Sequence, residues 1–301
     1  MLILLCFLWS LGSLRSDLLR NLTLHPLPPM EKQAVPFALL AVTAALFALI
    51  RRTDWPGGRR LLPPILVGLG LFVAPAVLVS LSRAWVPELM RVALFSLAPV
   101  FAIVLEPYIG HVAGTQRRGR LPAALAAVVG TLCIFPLEIP RSPAAGVAFG
   151  TVILAVACVA AANCQAVRVV IRTPGKPVAP LAAIAGATAA VGLVAASVLM
   201  EQPFLTWSAL APELVWSAVI ELPGLLLLFW LMRRMSAARM TTRFVLAPLI
   251  TLLIGLVLLR PSLTLRTWLG MLLIGAGVGW LLLAAEVEPE ESALPLNLNR
   301  Q

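Results

Sequence analysis

The sequence predicts an all-α, polytopic membrane protein of ten transmembrane helices, arranged as a five-plus-five inverted-topology repeat. Three observations predict it. Apolar residues make up 60% of the chain and charged residues 12%, whereas soluble domains average about 45–50% and roughly 25%. The apolar residues form continuous runs of 17–25 positions, and those runs fall into two sets of five with a matching rhythm.

A chain of mean hydropathy +0.98 has too little interior to hide its apolar side chains, but lipid solvates them at no hydrophobic cost. Amides inside lipid must bond internally, which leaves helices or closed barrels. Barrel strands alternate over short segments, and these runs do not. At 1.5 Å rise, about 20 residues cover the hydrocarbon thickness, so each run is long enough to be a spanning helix.

The ten predicted spans are 2–19, 34–50, 61–82, 87–110, 120–137, 146–168, 179–199, 208–232, 240–259 and 266–285. The first is read as a retained helix. It has no basic residue ahead of its apolar run, and Arg15, Asp17 and Arg20 follow where a signal peptide would carry a small-residue cleavage site. The connections are short and rich in breakers, as in Asp54-Trp55-Pro56-Gly57-Gly58 before the third span and Arg172-Thr173-Pro174-Gly175-Lys176-Pro177 before the seventh. Trp55, Trp85, Trp207 and Trp268 sit near span ends and read as interfacial anchors. Asn21-Leu22-Thr23 matches a glycosylation pattern on a predicted outer loop.

The net charge of +10 is carried by short basic clusters between apolar runs, which fits membrane orientation and not nucleic-acid binding. Fourteen of the 23 basic residues follow even-numbered spans, among them Arg51, Arg59, Arg117, Arg168, Arg233, Arg239 and Arg243. Loops rich in Lys and Arg stay in the cytoplasm. Both termini are therefore expected inside, with the protein in the plasma (inner) membrane. Cys6, Cys133, Cys158 and Cys164 lie within apolar runs and read as packing residues.

Shifting the chain by 149 residues brings Ala98-Pro99-Val100 onto Ala247-Pro248-Leu249, and Gly130 onto Gly279. The boundaries implied are 1–144 for one half, 145–290 for the other, and 291–301 for a cytoplasmic tail. Five spans per half force the second copy to enter from the opposite face. Such inverted repeats recur in secondary transporters, because exchanging the conformations of the two halves exchanges access between the two sides.

The residues from Arg243 to Leu283 include Ala247-Pro248-Leu249, then Arg260-Pro261-Ser262, Trp268-Leu269-Gly270 and Gly275-Ala276-Gly277. This pattern resembles the EamA-like domain of the drug/metabolite transporter superfamily, and Ser96 to Phe101 with the Gly130 helix is a weaker version in the first half. The resemblance implies a ten-helix bundle around a central cavity that carries small metabolites such as amino acids, often outward. His111 and Arg260 stand where that family commonly has a Glu.

Ionisable groups at mid-bilayer are normally kept facing protein or water. Glu221 lies about 14 residues into the eighth span and is read either as a cargo-amine or proton site or as a structural partner of a group such as Arg91. Glu106, Tyr108, Trp216, Asn163 and Gln165 are the other candidate cargo contacts, each with a packing alternative. Pro99 and Pro248 are the candidate hinges, since proline removes an intrahelical bond.

No His/Cys/acid cluster, phosphate-cradling Gly loop or His-Glu-x-x-His stretch occurs, so neither a metal nor a cofactor is expected. The expected partners are membrane lipid, a small-molecule cargo and a proton or other coupling ion, with no nucleic acid. The expected function is secondary transport of a small metabolite without covalent change. A noncatalytic scaffold and a lipid-modifying membrane enzyme are the alternatives.

Overall fold

The computed structural model describes residues 1–19, 27–109, 117–137, 140–171, 177–201, 206–259 and 264–283. Asn21-Leu22-Thr23, His111, Arg260, the acidic tail and the side chains of Arg15 and Asp17 lie outside this description.

Ten helices appear among the described residues. They are α1 (Leu2–Leu19), α2 (Pro29–Ile50), α3 (Gly58–Ser82), α4 (Glu88–Ile109) and α5 (Arg117–Ile134), then α6 (Pro143–Ile171), α7 (Ala179–Met200), α8 (Trp207–Leu231), α9 (Ala237–Thr241 and Arg243–Leu259) and α10 (Leu265–Leu283). Eight are long and apolar enough to cross a membrane, while α1 and α5 contribute the shorter apolar stretches Leu2–Gly12 and Gly119–Ile134. The chain is therefore an all-α, multi-pass membrane protein.

The helix ends follow local chemistry. Pro29, Pro143 and Pro180 stand in first turns, where the missing N–H would have no partner anyway. Ser142 caps α6 by accepting the Ala145 N–H at 3.2 Å. Glu201, at the end of α7, accepts the Met30 N–H at 3.0 Å, so one carboxylate serves the start of α2. The turn after α2 places Arg52 at φ 48 and Gly58 at φ 55, both left-handed.

Burial is inverted relative to a soluble protein. Val42, Leu49, Val191, Leu199 and Val257 are exposed, while Glu106, Arg120, Asn163, Glu213 and Arg243 are buried. Lipid accepts the first group, and the second must find partners or a water-filled cavity.

Some of the helix packing is symmetric between the first five helices and the second five. The most extensive contacts join second helix to second helix (α2 with α7) and fifth to fifth (α5 with α10). α6 packs on α3 and α4, as α1 packs on α8 and α9. Glycines allow the closest crossings: a Cβ on Gly130 would stand 2.7 Å from the Gly270 carbonyl oxygen, and one on Gly277 would stand 2.5 Å from that of Ala123. Gly130 and Gly277 thus make matching close contacts, while the surroundings of Gly279 are open.

Two irregularities repeat as well. α3 and α8 each contain a π-turn, Leu69–Val73 and Ser217–Glu221, and each is followed two residues later by a proline, Pro75 or Pro223. The ring clashes with the carbonyl four residues back, at Leu71 and Val219 inside the widened turns. α4 and α9 are each interrupted, at Ser96–Leu97 and at Thr242. There a hydroxyl turns back to the chain: Ser96 Oγ donates to the Ala93 carbonyl and Thr242 Oγ1 to that of Arg239, both at 2.6 Å.

Candidate functional site

A cavity of about 1240 Å³ lies between α1, α2, α3, α4, α8 and α9. Its mouth is formed by Pro28 and Lys32 at the start of α2, Arg83 just beyond α3, and Glu88 at the start of α4. Lys32 Nζ stands 3.8 Å from Glu213 Oε1 of α8, which ties two walls of the mouth together. Aromatic and aliphatic side chains line the shaft, with Phe37 and Phe72 in tilted contact at 4.3 Å. Ala237 and Ala238 of α9 pack beside Ala102 and Ile103 of α4, and none of the four lines the cavity.

Glu221 lines this cavity, half-buried, at the end of the α8 π-turn. Ser217 Oγ donates to Glu221 Oε2 at 2.8 Å, so the widened turn holds the carboxylate by its own first residue. π-turns inside α-helices commonly mark functional positions, because the extra residue re-aims a side chain.

At the floor lies Arg243, 1% exposed and the largest of the fully buried side chains. Its guanidinium carbon stands 4.8 Å from the ring centroid of Trp9 and 4.8 Å from that of Phe244. The two centroids are only 6.1 Å apart, so the rings flank the guanidinium from adjacent sides. Arg243 Nε and Nη1 have no hydrogen-bond partner, and no carboxylate pairs with Arg243 among the described residues. α1 holds this corner in register: Cys6 and Trp9 face Arg243, and Ser10 Oγ donates to the Ala247 carbonyl at 2.9 Å.

The other sequence-derived candidates are dispersed. Glu106 is buried and faces Arg120 of α5 at 3.8 Å, away from the cavity. Tyr108 is 72% exposed on the outer surface of the bundle. Asn163 is fully buried in α6, with Nδ2 donating to the Val159 carbonyl at 2.7 Å, and Gln165 is half-buried beyond it. Trp216 is half-buried next to the π-turn and does not line the cavity. Pro99 is buried just past the break in α4, while Pro248 sits within the unbroken second segment of α9.

Sequence reasoning passed over Arg243 by counting it with the cytoplasmic loop cations. It lies inside α9, and the signal was present: no acidic residue stands three or four positions away on its own helix. Arg239 and Arg120, also counted with the loops, lie within helices, Arg239 half-buried with a hydrogen bond to the Leu282 carbonyl and Arg120 buried.

No family model matches the chain, and no curated protein does. Among solved structures, a chain described only as a crystal structure of a protein aligns at TM-score 0.72 with 16% identity, over 94% of this chain and 97% of its own. The two share a fold. At that identity the likeness speaks for architecture alone, and it extends over nearly the whole of both chains.

Proposed function

We propose that this protein is a secondary transporter that moves a small metabolite, an amino acid or similar compound in the export direction, across the plasma (inner) membrane by alternating access. On this reading all ten helices span. The halves 1–144 and 145–290 form an inverted repeat of the EamA-like kind, both termini are cytoplasmic, and residues 291–301 are a tail. Cargo passes unchanged, so the protein is not an enzyme, and a proton or other ion gradient or the cargo's own gradient supplies the energy.

The observation that carries the reading is a cavity large enough for a metabolite, open at one end, with the carboxylate of Glu221 on its wall. The symmetric helix packing supports it. The inner segment of α9 packs closely on the second segment of α4, while the two-fold-related pair, the outer segments of the same helices, touches only lightly. One gate shut and its symmetric counterpart open is the arrangement that alternating access requires.

Counterflow of labelled amino acids in proteoliposomes tests the proposal. The expected result is saturable exchange that falls strongly in Glu221→Gln. Exchange absent for every metabolite class tried, with the protein folded and correctly inserted, would refute transport. Exchange unchanged in Glu221→Gln would remove that residue from the site.

A further inference from the structure

We infer that the cavity floor is a carboxylate-recognition site, in which Arg243 binds the acidic group of an apolar-bodied cargo. The inference rests on the transport reading for its biological meaning, but its evidence is separate.

Arginine stays protonated in proteins and carries five N–H donors in a planar fork. A buried polar group without a hydrogen bond is costly, and a buried charge without a partner more so. Arg243 is nevertheless placed at the floor with Nε and Nη1 unbonded. The flanking rings of Trp9 and Phe244 offset part of this through their π-faces, which attract a cation without using its in-plane N–H groups. What they leave is the unbonded Nε and Nη1 donors, and a carboxylate is the anionic acceptor that would satisfy them with charge-assisted hydrogen bonds.

The surroundings narrow the ligand. Phe95 stands 5.7 Å from Phe244, and Leu71, Phe72 and Leu225 continue the wall, so the part of the ligand above its acid group meets apolar surface. Glu221 lies on the same cavity on α8. An amphoteric cargo would then use both charges, its acid on Arg243 and its amine toward Glu221, while a simple carboxylate would use Arg243 alone.

A matched set of probes tests this on the purified full-length protein: L-phenylalanine, 3-phenylpropanoate, phenethylamine and phenyl phosphate, each titrated to millimolar concentration while thermal stability and Trp fluorescence are read. The wild type is expected to respond to the two carboxylates. Arg243→Gln should weaken 3-phenylpropanoate by about ten- to hundredfold, the loss expected of hydrogen bonds to a charged group. Arg243→Lys keeps the charge but not the fork, so it should also weaken binding and serves if the Gln variant is poorly folded. Glu221→Gln should weaken L-phenylalanine, whose amine Glu221 would meet, more than 3-phenylpropanoate, which has none.

No response to either carboxylate, an equal response in both Arg243 variants, or a response confined to phenethylamine overturns the assignment, and preference for phenyl phosphate overturns the carboxylate class. Empty variants of lowered stability whose residual folded fraction binds as wild type would make Arg243 structural only. Counterflow without carboxylate dependence sinks the floor assignment and leaves transport standing. Carboxylate binding without counterflow does the reverse.

Discussion

Gly277 and Gly279, one turn face apart on α10, should respond to the same substitution with opposite signs. A Cβ at Gly277 would stand 2.5 Å from the Ala123 carbonyl oxygen and 2.7 Å from the Ala127 nitrogen. These are backbone atoms of α5, so the clash is relieved only by moving one helix off the other. Overpacking of this kind costs about 1–3 kcal/mol, and the helix propensity of alanine over glycine returns about 0.8–1.0 kcal/mol. Gly277→Ala should therefore lose up to about 2 kcal/mol. At Gly279 nothing lies within 4 Å of the added atom, so only the propensity gain remains and Gly279→Ala should gain up to about 1 kcal/mol. Unfolding midpoints in mixed detergent–SDS micelles, read on both purified variants and the wild type, give the comparison. If both variants shift in the same direction, the α5–α10 crossing is not the close helix contact described here.

Glu106→Gln and Arg120→Gln should each destabilise by about 3–5 kcal/mol, because each removes one partner of a buried ion pair. The double variant should lose less than the sum, and additive losses in the same SDS titration would show that the pair is uncoupled. Arg52→Gly should stabilise by about 1 kcal/mol, since Arg52 holds φ 48 at the end of α2. A lowered midpoint would show that its side chain contributes more than its backbone strain removes. Ser10→Ala removes the interhelical bond to the Ala247 carbonyl and should cost about 0.6 kcal/mol. No measurable change in the unfolding midpoint would mean that its second acceptor, the Cys6 carbonyl, takes the hydroxyl alone.

Depth was legible in the sequence and azimuth was not. Helix rise is fixed, so counting residues from a span end placed Glu221 near the middle of α8, and the structure has it on the cavity wall. The same counting could not separate Glu221 from Tyr108, which is 72% exposed. In a soluble protein the apolar stripe reveals which face points inward, but here lipid and core are both apolar. Only polar residues report direction, and they are few. Arg243 shows the converse failure. Its charge drew it into the tally of loop cations although it stands inside the predicted span 240–259, and only the structure shows it at the head of a new segment after the interruption at Thr242. Matched features in the two sets of helices were legible at the level of rhythm, through Pro99 and Pro248. The better structural markers, paired π-turns ahead of Pro75 and Pro223, follow an offset one residue shorter than that match.

The position of Arg243 bears on how the two gates could exchange. On the transport reading, the packing of Ala102, Ala237 and Ala238 would be the shut gate, built of side chains with no rotamer freedom to lose and little apolar area to re-expose on parting. Its counterpart would form by the first segment of α4 approaching the second segment of α9. One contact of that closed state already exists, because Phe95 at the end of the first segment of α4 meets Phe244 at the start of the second segment of α9 at 5.7 Å. On that reading Phe95 and Phe244 would lie where the two gates cross, and Arg243, the neighbour of Phe244, lines the cavity. A cargo group bound there is reached from whichever gate is open, whereas one bound at Lys32 or Arg83 near the mouth would be stranded on the far side when that gate shut. On the transport reading, the floor of the present cavity is the point that both access states must share, and a residue holding cargo through the exchange has to stand within reach of it.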